Sequence, residues 1–93
     1  MFFNVTNAEY SCDYIIRLEF RNGRSGSVDL KNYIENEEIF RGILPIEKFK
    51  SFAVEFGTIT WENGVIDIAP EKLYEMTTGE KIRFDLDPVK KAV

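Results

Sequence analysis

The chain has 93 residues, of which 44% are apolar, and its 12 basic and 16 acidic side chains give a net charge of −4. That length supports one domain with one modest hydrophobic core and leaves no room for separate cofactor and substrate domains. The chain contains no histidine, so mechanisms that need a histidine base or a histidine metal ligand are excluded. The single cysteine, Cys12, cannot form an intramolecular disulfide or a structural zinc site. A lone cysteine favours a reducing compartment, and we therefore expect a cytoplasmic protein.

Three strands are predicted in the first third of the chain. Residues 14–20 alternate with period two, which is the pattern of a half-buried strand. The Asn-Gly pair at 22–23 predicts a type I′ turn, in which both central residues have positive φ. Residues 25–30 then return as a weaker strand, with an edge position or a bulge. Residues 4–10 alternate loosely and are expected to pair as a third antiparallel strand.

Short helices are predicted next, because the apolar period changes to three and four residues from Asp29 onward. Asp29 is the expected N-cap, Asn36 interrupts the run, and Gly42 lies near its end. Pro45 is expected to start a second short helix, since a residue of the first turn needs no amide hydrogen. The apolar stripe of this helix comprises Ile46, Phe49 and Phe52.

A second hairpin is predicted from residues 52–56 and 58–61, which both alternate with period two. Residues 62–64 read Glu-Asn-Gly and predict another turn, after which a short strand follows. A last helix is expected to start at Pro70 and to end at Gly79. The apolar sides of the two predicted strands are Phe52, Val54 and Phe56 in the first, and Ile59 and Trp61 in the second.

These elements predict an α+β fold: a small single domain of antiparallel strands, joined as hairpins, with two or three short helices. The domain is expected to span residues 1–93, with residues 80–93 as a C-terminal extension that we consider flexible. No apolar run approaches the roughly 18–20 residues of a membrane span. The apolar start has no basic n-region, so we expect neither export nor a membrane span.

The second half of the chain carries a family resemblance. Residues 61–74 read W-E-N-G-V-I-D-I-A-P-E-K-L-Y, preceded by L-E-F-R-N-G at 18–23 and V-D-L at 28–30. This pattern resembles a small bacterial family called domain of unknown function 2442, and the resemblance covers about residues 10–75. It implies a small α+β fold of antiparallel strands with short helices. It implies no activity, because none is established for the family as a whole.

The resemblance also implies that the protein is a binding module, because of the proteins and domains that accompany members of this family. Some relatives lie beside a second small uncharacterised protein, in an arrangement like a toxin and antitoxin pair, and some are fused to a helix-turn-helix domain. We therefore expect a non-enzymatic protein-interaction module, the regulatory or antitoxin-like member of a protein pair, or a homodimer. The alternative is a component of a nucleic-acid-associated regulator. Direct binding to nucleic acid is disfavoured by the negative net charge.

Five residues are candidates for an interaction or a structural role, namely Trp61, Asn63, Asp67, Glu71 and Tyr74. Trp61 is expected in the core, where its indole N–H needs an acceptor. Asn63 is explained by its turn, and Glu71 by the positive end of the helix dipole. Asp67 either accepts backbone N–H groups at the corner between strand and helix or takes part in recognition. Tyr74 is expected to pack its ring and to leave its hydroxyl at the surface.

No catalytic, cofactor or metal site is predicted. The acids at residues 85–87 and those at residues 35–38 lack the ligand density and the glycine of a calcium loop. Arg17 and Arg21 share a strand face with an acid between them, which favours ion pairing on a wet face over a phosphate-binding stripe. A small hydrolase that relies on Asp67 or on the acidic cluster at residues 35–38 is a third hypothesis.

Aromatic residues make up 14% of the chain, with eight phenylalanines, which is more than a core of this size hides. An exposed apolar patch on so small a domain would mark a protein interface. The candidates for exposure are Phe2, Phe3, Tyr33, Phe40 and Phe56.

Overall fold

Two three-stranded antiparallel sheets carry the fold in a computed structural model that describes residues 1–82. The strands of the first sheet, in spatial order, are β1 at Val5–Cys12, β2 at Ile15–Phe20 and β3 at Ser25–Asp29. Those of the second sheet are β4 at Ala53–Glu55, β5 at Thr58–Trp61 and β6 at Ile66–Asp67. Neighbouring strands in each sheet are consecutive in the chain, so the predicted α+β architecture of antiparallel hairpins is confirmed.

Short helices connect and cover the sheets. They are α1 at Lys31–Glu35, a 3₁₀ segment at Glu38–Ile43, α2 at Ile46–Phe49 and α3 at Pro70–Thr78. Asn36 is the C-cap of α1, in agreement with its predicted role as an interruption. Gly79 ends α3 as predicted, with a left-handed φ of 80°. The second helix is shorter than its predicted stripe, because the chain leaves it after Phe49 to enter β4.

The start of α1 differs by one residue from the predicted N-cap. The helix begins at Lys31, and Leu30 occupies the N-cap position. The Asp29 carboxylate nevertheless accepts the Lys31 N–H at 3.0 Å. Leu30 is fully buried in the core. The side-chain oxygen at the start of the helix is therefore supplied by the preceding residue, Asp29.

The turn between β2 and β3 is not the predicted type I′ turn. Gly23 has a φ of 91°, whereas Asn22 is not among the residues with positive φ. The Phe20 carbonyl accepts the Gly23 N–H at 2.9 Å, and the Phe20 N–H donates to Arg24 at 2.8 Å, so the turn ends in a bulge with a left-handed glycine. Asn22 uses its side chain instead, accepting the Arg24 N–H at 3.0 Å and donating to the Tyr74 hydroxyl at 3.0 Å.

Gly26 lies on β3, at the edge of the first sheet as predicted, and the register with β2 has no bulge. Helix α3 passes so close that a Cβ at Gly26 would lie 3.0 Å from Thr77 Cγ2. The missing side chain therefore lets the helix pack onto this edge.

The two sheets meet at Gly57, in the turn between β4 and β5. The Val5 N–H, at the start of β1, donates to the Gly57 carbonyl at 2.8 Å. Gly57 has a φ of 76°, and a Cβ at this position would lie 2.7 Å from Asn4 Cγ. Only glycine satisfies both the left-handed backbone and this close approach.

We expect Gly57→Ala to lower the free energy of unfolding by about 1–3 kcal/mol, because the methyl group adds backbone strain and a clash with Asn4. The measurement is urea denaturation of the full chain. Gly42→Ala is the matched control, since a Cβ there meets no atom within 4 Å, and we expect it to stay within about 0.5 kcal/mol of the wild type. Equal stability of the two variants would contradict this account of the junction.

Candidate functional site

Trp61 belongs to the core, as predicted. It ends β5 with 1% of its surface exposed. Its indole N–H donates to the Phe49 carbonyl at 2.9 Å, which supplies the acceptor that a buried indole needs. The rings of Phe40 and Phe49 lie 6.4 and 6.0 Å from the indole, measured between ring centroids. A side chain so enclosed is not free to contact a partner.

The predicted turn after Trp61 is confirmed. Glu62, Asn63 and Gly64 all have left-handed φ angles, of 54°, 61° and 89°. The Trp61 carbonyl accepts the Gly64 N–H at 3.2 Å. Asparagine and glycine tolerate this backbone, whereas glutamate does so at a cost. The turn exposes Glu62 and Asn63, followed by Val65, which is 76% exposed.

Phe56 is the most exposed of the large apolar side chains that the structure describes, with 85% of its surface accessible. It lies in the turn between β4 and β5 and not in the predicted strand 52–56, because β4 already ends at Glu55. Its φ is 55°, and Gly57 follows at 76°, so both central residues of the turn are left-handed. The ring packs beside the neighbouring turn, where a Cβ on Gly64 would lie 3.5 Å from Phe56 Cε2.

The two turns thus form one exposed surface, which we name the hairpin-tip surface and define as Phe56, Glu62, Asn63 and Val65. Of the five aromatic residues predicted as candidates for exposure, Phe2 and Phe56 are exposed, and Tyr33 is half-buried. Phe3 and Phe40 lie in the core.

The outer face of the second sheet carries Asp67. Asp67 pairs with Thr60 across β5 and β6, and Glu55 pairs with Thr58, so these side chains share one face. Of the two roles considered for Asp67, acceptance of backbone N–H groups is not seen within residues 1–82, where its side chain is exposed. The corner before α3 is held instead by Thr58, whose hydroxyl donates to the Ile68 carbonyl.

A cleft of about 260 Å³ lies beside the hairpin-tip surface. We name it the acidic cleft, and it is lined by Ser51, Ala53, Glu55, Thr60, Trp61, Glu62 and Asn63. The Thr60 hydroxyl, on a residue that is 1% exposed, donates to Glu55 Oε1 at 2.8 Å. That bond holds one carboxylate at the wall of the cleft, and Glu62 supplies a second.

Tyr74 lies on α3 and belongs to a hydrogen-bonded cluster with Asn22 and Glu80. The residue is 2% exposed, and its hydroxyl accepts from Asn22 Nδ2 at 3.0 Å and donates to Glu80 Oε1 at 2.9 Å. The prediction of a surface hydroxyl free for an interface is therefore wrong. Arg24 forms an ion pair with the same Glu80 carboxylate. Hydrogen bonds from Arg24 and then Tyr74 lower the pKa of Glu80 below its ordinary value of 4.5.

The other charged residues considered in the sequence are Glu71 and Arg17. Glu71 lies in the first turn of α3, as predicted. Within residues 1–82, Arg24 with Glu80 is the one ion pair whose atoms lie within 4.0 Å, so the predicted ion pairing around Arg17 is not found. Arg17 instead donates to the Ser25 hydroxyl at 3.3 Å.

Three residues of these sites have no distinctive signal in the sequence, namely Glu55, Val65 and Glu80. Each owes its role to a contact or an exposure that only the folded chain creates.

Two further features are absent from residues 1–82, namely a cluster of metal ligands and a membrane-spanning helix. No three acidic or cysteine side chains come together there as a metal site would require, and no helix has the length and apolar character to cross a membrane. Cys12 is an exposed free thiol at the end of β1. The acids at residues 85–87, and most of the predicted C-terminal extension, lie outside the described residues.

The fold and its surface define a small α+β domain with an aromatic side chain displayed on a hairpin turn. The chain belongs to the family described as "Protein of unknown function (DUF2442)", which matches residues 5–79. The match includes the whole stretch of about residues 10–75 over which the resemblance is expected, and the predicted family is confirmed. No curated protein and no solved structure matches the chain.

We expect the Glu80 cluster to make stability depend on pH. Because folding lowers the pKa of Glu80, its contribution is present above the ordinary value of 4.5 and is lost as the pH falls through the lowered value. Glu80→Gln should therefore be less stable than the wild type near pH 7, and the difference should shrink as the pH falls below 4.5 and through the lowered pKa. Urea denaturation of both proteins across this range measures it. A difference that persists unchanged at low pH would contradict the assignment to Glu80.

Proposed function

We propose that the protein is a non-enzymatic protein-interaction module whose contact surface is the hairpin-tip surface. The observation that carries the proposal is Phe56, a phenylalanine that is 85% exposed on a left-handed backbone. Val65, 76% exposed in the turn that follows β5, adds a second exposed apolar side chain.

The energetics of association support an anchor of this kind. Burying a phenylalanine side chain in a partner is favourable by about 1.5–3 kcal/mol. Large aromatic side chains often dominate the binding energy of interfaces. A two-residue turn with left-handed φ angles of 55° and 76° also fixes the backbone that presents Phe56, which reduces the backbone entropy lost on association.

The finer proposal is that the protein is the regulatory or antitoxin-like member of a protein pair and acts in the cytoplasm, with another protein as its partner. Support for this pairing comes from the settings that the family resemblance implies. The nucleic-acid alternative draws little support from the hairpin arginines, since Arg24 is engaged by Glu80 and Arg17 by Ser25.

Phe56→Asn separates binding from folding. Asparagine suits a left-handed turn position better than phenylalanine does, so we expect the variant to be at least as stable as the wild type, with a gain of up to about 1 kcal/mol. Partner binding should be lost or strongly weakened, because the apolar anchor is gone. The measurement pairs urea denaturation with light scattering of complexes isolated from cells that produce the tagged full chain.

Ile39→Ser is the matched control, because Ile39 is 63% exposed on the 3₁₀ segment, outside the hairpin-tip surface. It should retain the complex seen with the wild type. Loss of a defined dimer in Phe56→Asn alone would identify a second copy as the partner. If both variants keep the same complex, or if the wild type retains only nucleic acid, the proposed surface is wrong.

A further inference from the structure

The acidic cleft adjoins the apolar part of the hairpin-tip surface. Glu55 Oε1 and Phe56 Cε2 would lie 3.8 and 3.5 Å from a Cβ on Gly64, so a carboxylate and an aromatic ring flank the same turn residue. Glu62 and Asn63 belong to both the surface and the cleft lining. A segment that covers Phe56 therefore also meets the mouth of this cleft.

The polar groups of the acidic cleft are mostly hydrogen-bond acceptors. Two carboxylates, one amide and two hydroxyls line it, and no lysine or arginine is among its lining residues in the described part of the chain. Asp67 adds a further exposed carboxylate on the face that carries Glu55. A guanidinium or an ammonium group complements such a lining, because it offers only donors and a positive charge.

Two other grooves contain their own cations. A groove of about 470 Å³ between β3, α1 and α3 has Lys72 among its lining residues, with Nζ 6.0 Å from the centroid of the Tyr33 ring. A neighbouring cleft of about 480 Å³, which shares Ser51, Glu62 and Asn63 with the acidic cleft, has Lys48 among its lining residues. Of the three, the acidic cleft has the most negative lining, with two carboxylates and no lysine or arginine, whereas Lys72 offsets one of the two acids in the first groove and Lys48 offsets Glu62 in the second.

We propose that the hairpin-tip surface binds a segment of another protein in which an arginine stands beside a bulky apolar residue, with the guanidinium in the acidic cleft and the apolar side chain against Phe56 and Val65. This inference rests on the proposed function and specifies its partner. Arginine fits better than lysine because its planar guanidinium presents a fork of donors that matches the two oxygens of a carboxylate.

The same charges argue against a second copy of the chain as the occupant. A symmetric interface places each patch against itself. Two acidic clefts would then face one another, with Glu55 and Glu62 of each copy close to their equivalents, and like charges in such an interface are unfavourable.

The test uses the full chain and two acetylated, amidated tripeptides, Leu-Arg-Leu and Leu-citrulline-Leu, which differ in the charge of an otherwise similar side chain. Binding is followed by shifts of the backbone amide signals in nuclear magnetic resonance spectra. We expect saturable shifts around residues 51–65 with the arginine peptide and an affinity at least about ten-fold lower with the citrulline peptide. Equal affinities, or no saturable binding, would overturn the proposal.

Glu55→Gln and Glu62→Gln locate the site, because both keep a hydrogen-bonding side chain of the same length and remove only the charge. Each variant should lower the affinity for the arginine peptide several-fold. Glu38→Gln is the matched control, since Glu38 is exposed on the 3₁₀ segment, away from the cleft lining. If all three variants weaken binding equally, the peptide is responding to overall charge, and the cleft is not its site.

The two proposals can fail separately. If Phe56→Asn loses the cellular complex but Glu55→Gln and Glu62→Gln keep it at full affinity, the interaction surface stands and the arginine site is wrong. If the tripeptide binds as expected while Phe56→Asn keeps the complex, the cleft binds cations, but the cellular partner docks elsewhere and the proposed function is wrong.

Discussion

The hydrogen bond from the Trp61 indole to the Phe49 carbonyl is the contact on which the second half of the fold depends. Both groups are removed from water, so the loss of one would leave the other unsatisfied at a cost of about 1–3 kcal/mol. The bond joins the last residue of α2 to the last residue of β5. It sets how deeply β5 lies against the helices, and with it the positions of the turns at both ends of that strand.

Strand β5 is buried on both faces, which is unusual for an antiparallel strand of a small α+β domain. Ile59 and Trp61 face the core, while Thr58 and Thr60 face outward and are still 2% and 1% exposed. Buried hydroxyls need partners. Thr58 finds one in the backbone, and Thr60 finds one in Glu55. Satisfying Thr60 therefore places a carboxylate in the cleft wall, and a requirement of folding shapes the chemistry of the surface.

The sequence pattern predicts those parts of the structure in which residues close together in the chain determine the secondary structure and the buried face. The alternation in residues 14–20 and the inward side of Trp61 are of this kind, because burial repeats with the strand period. Asn22 and Phe56 depart from their predicted roles, and Asp67 from one of its two, for tertiary reasons. Tyr74 engages the Asn22 side chain, β4 ends before Phe56, and Thr58 holds the corner assigned to Asp67.

The backbone at the two turns carries strain that folding does not require. A left-handed φ is inexpensive for glycine or asparagine and costs more for Phe56 and Glu62, at 55° and 54°. Folding alone would favour asparagine at both positions. Neither side chain is buried, so core packing does not repay the strain. Both instead project from adjacent turns onto the hairpin-tip surface, one apolar and one acidic, and strained residues of this kind cluster at binding sites.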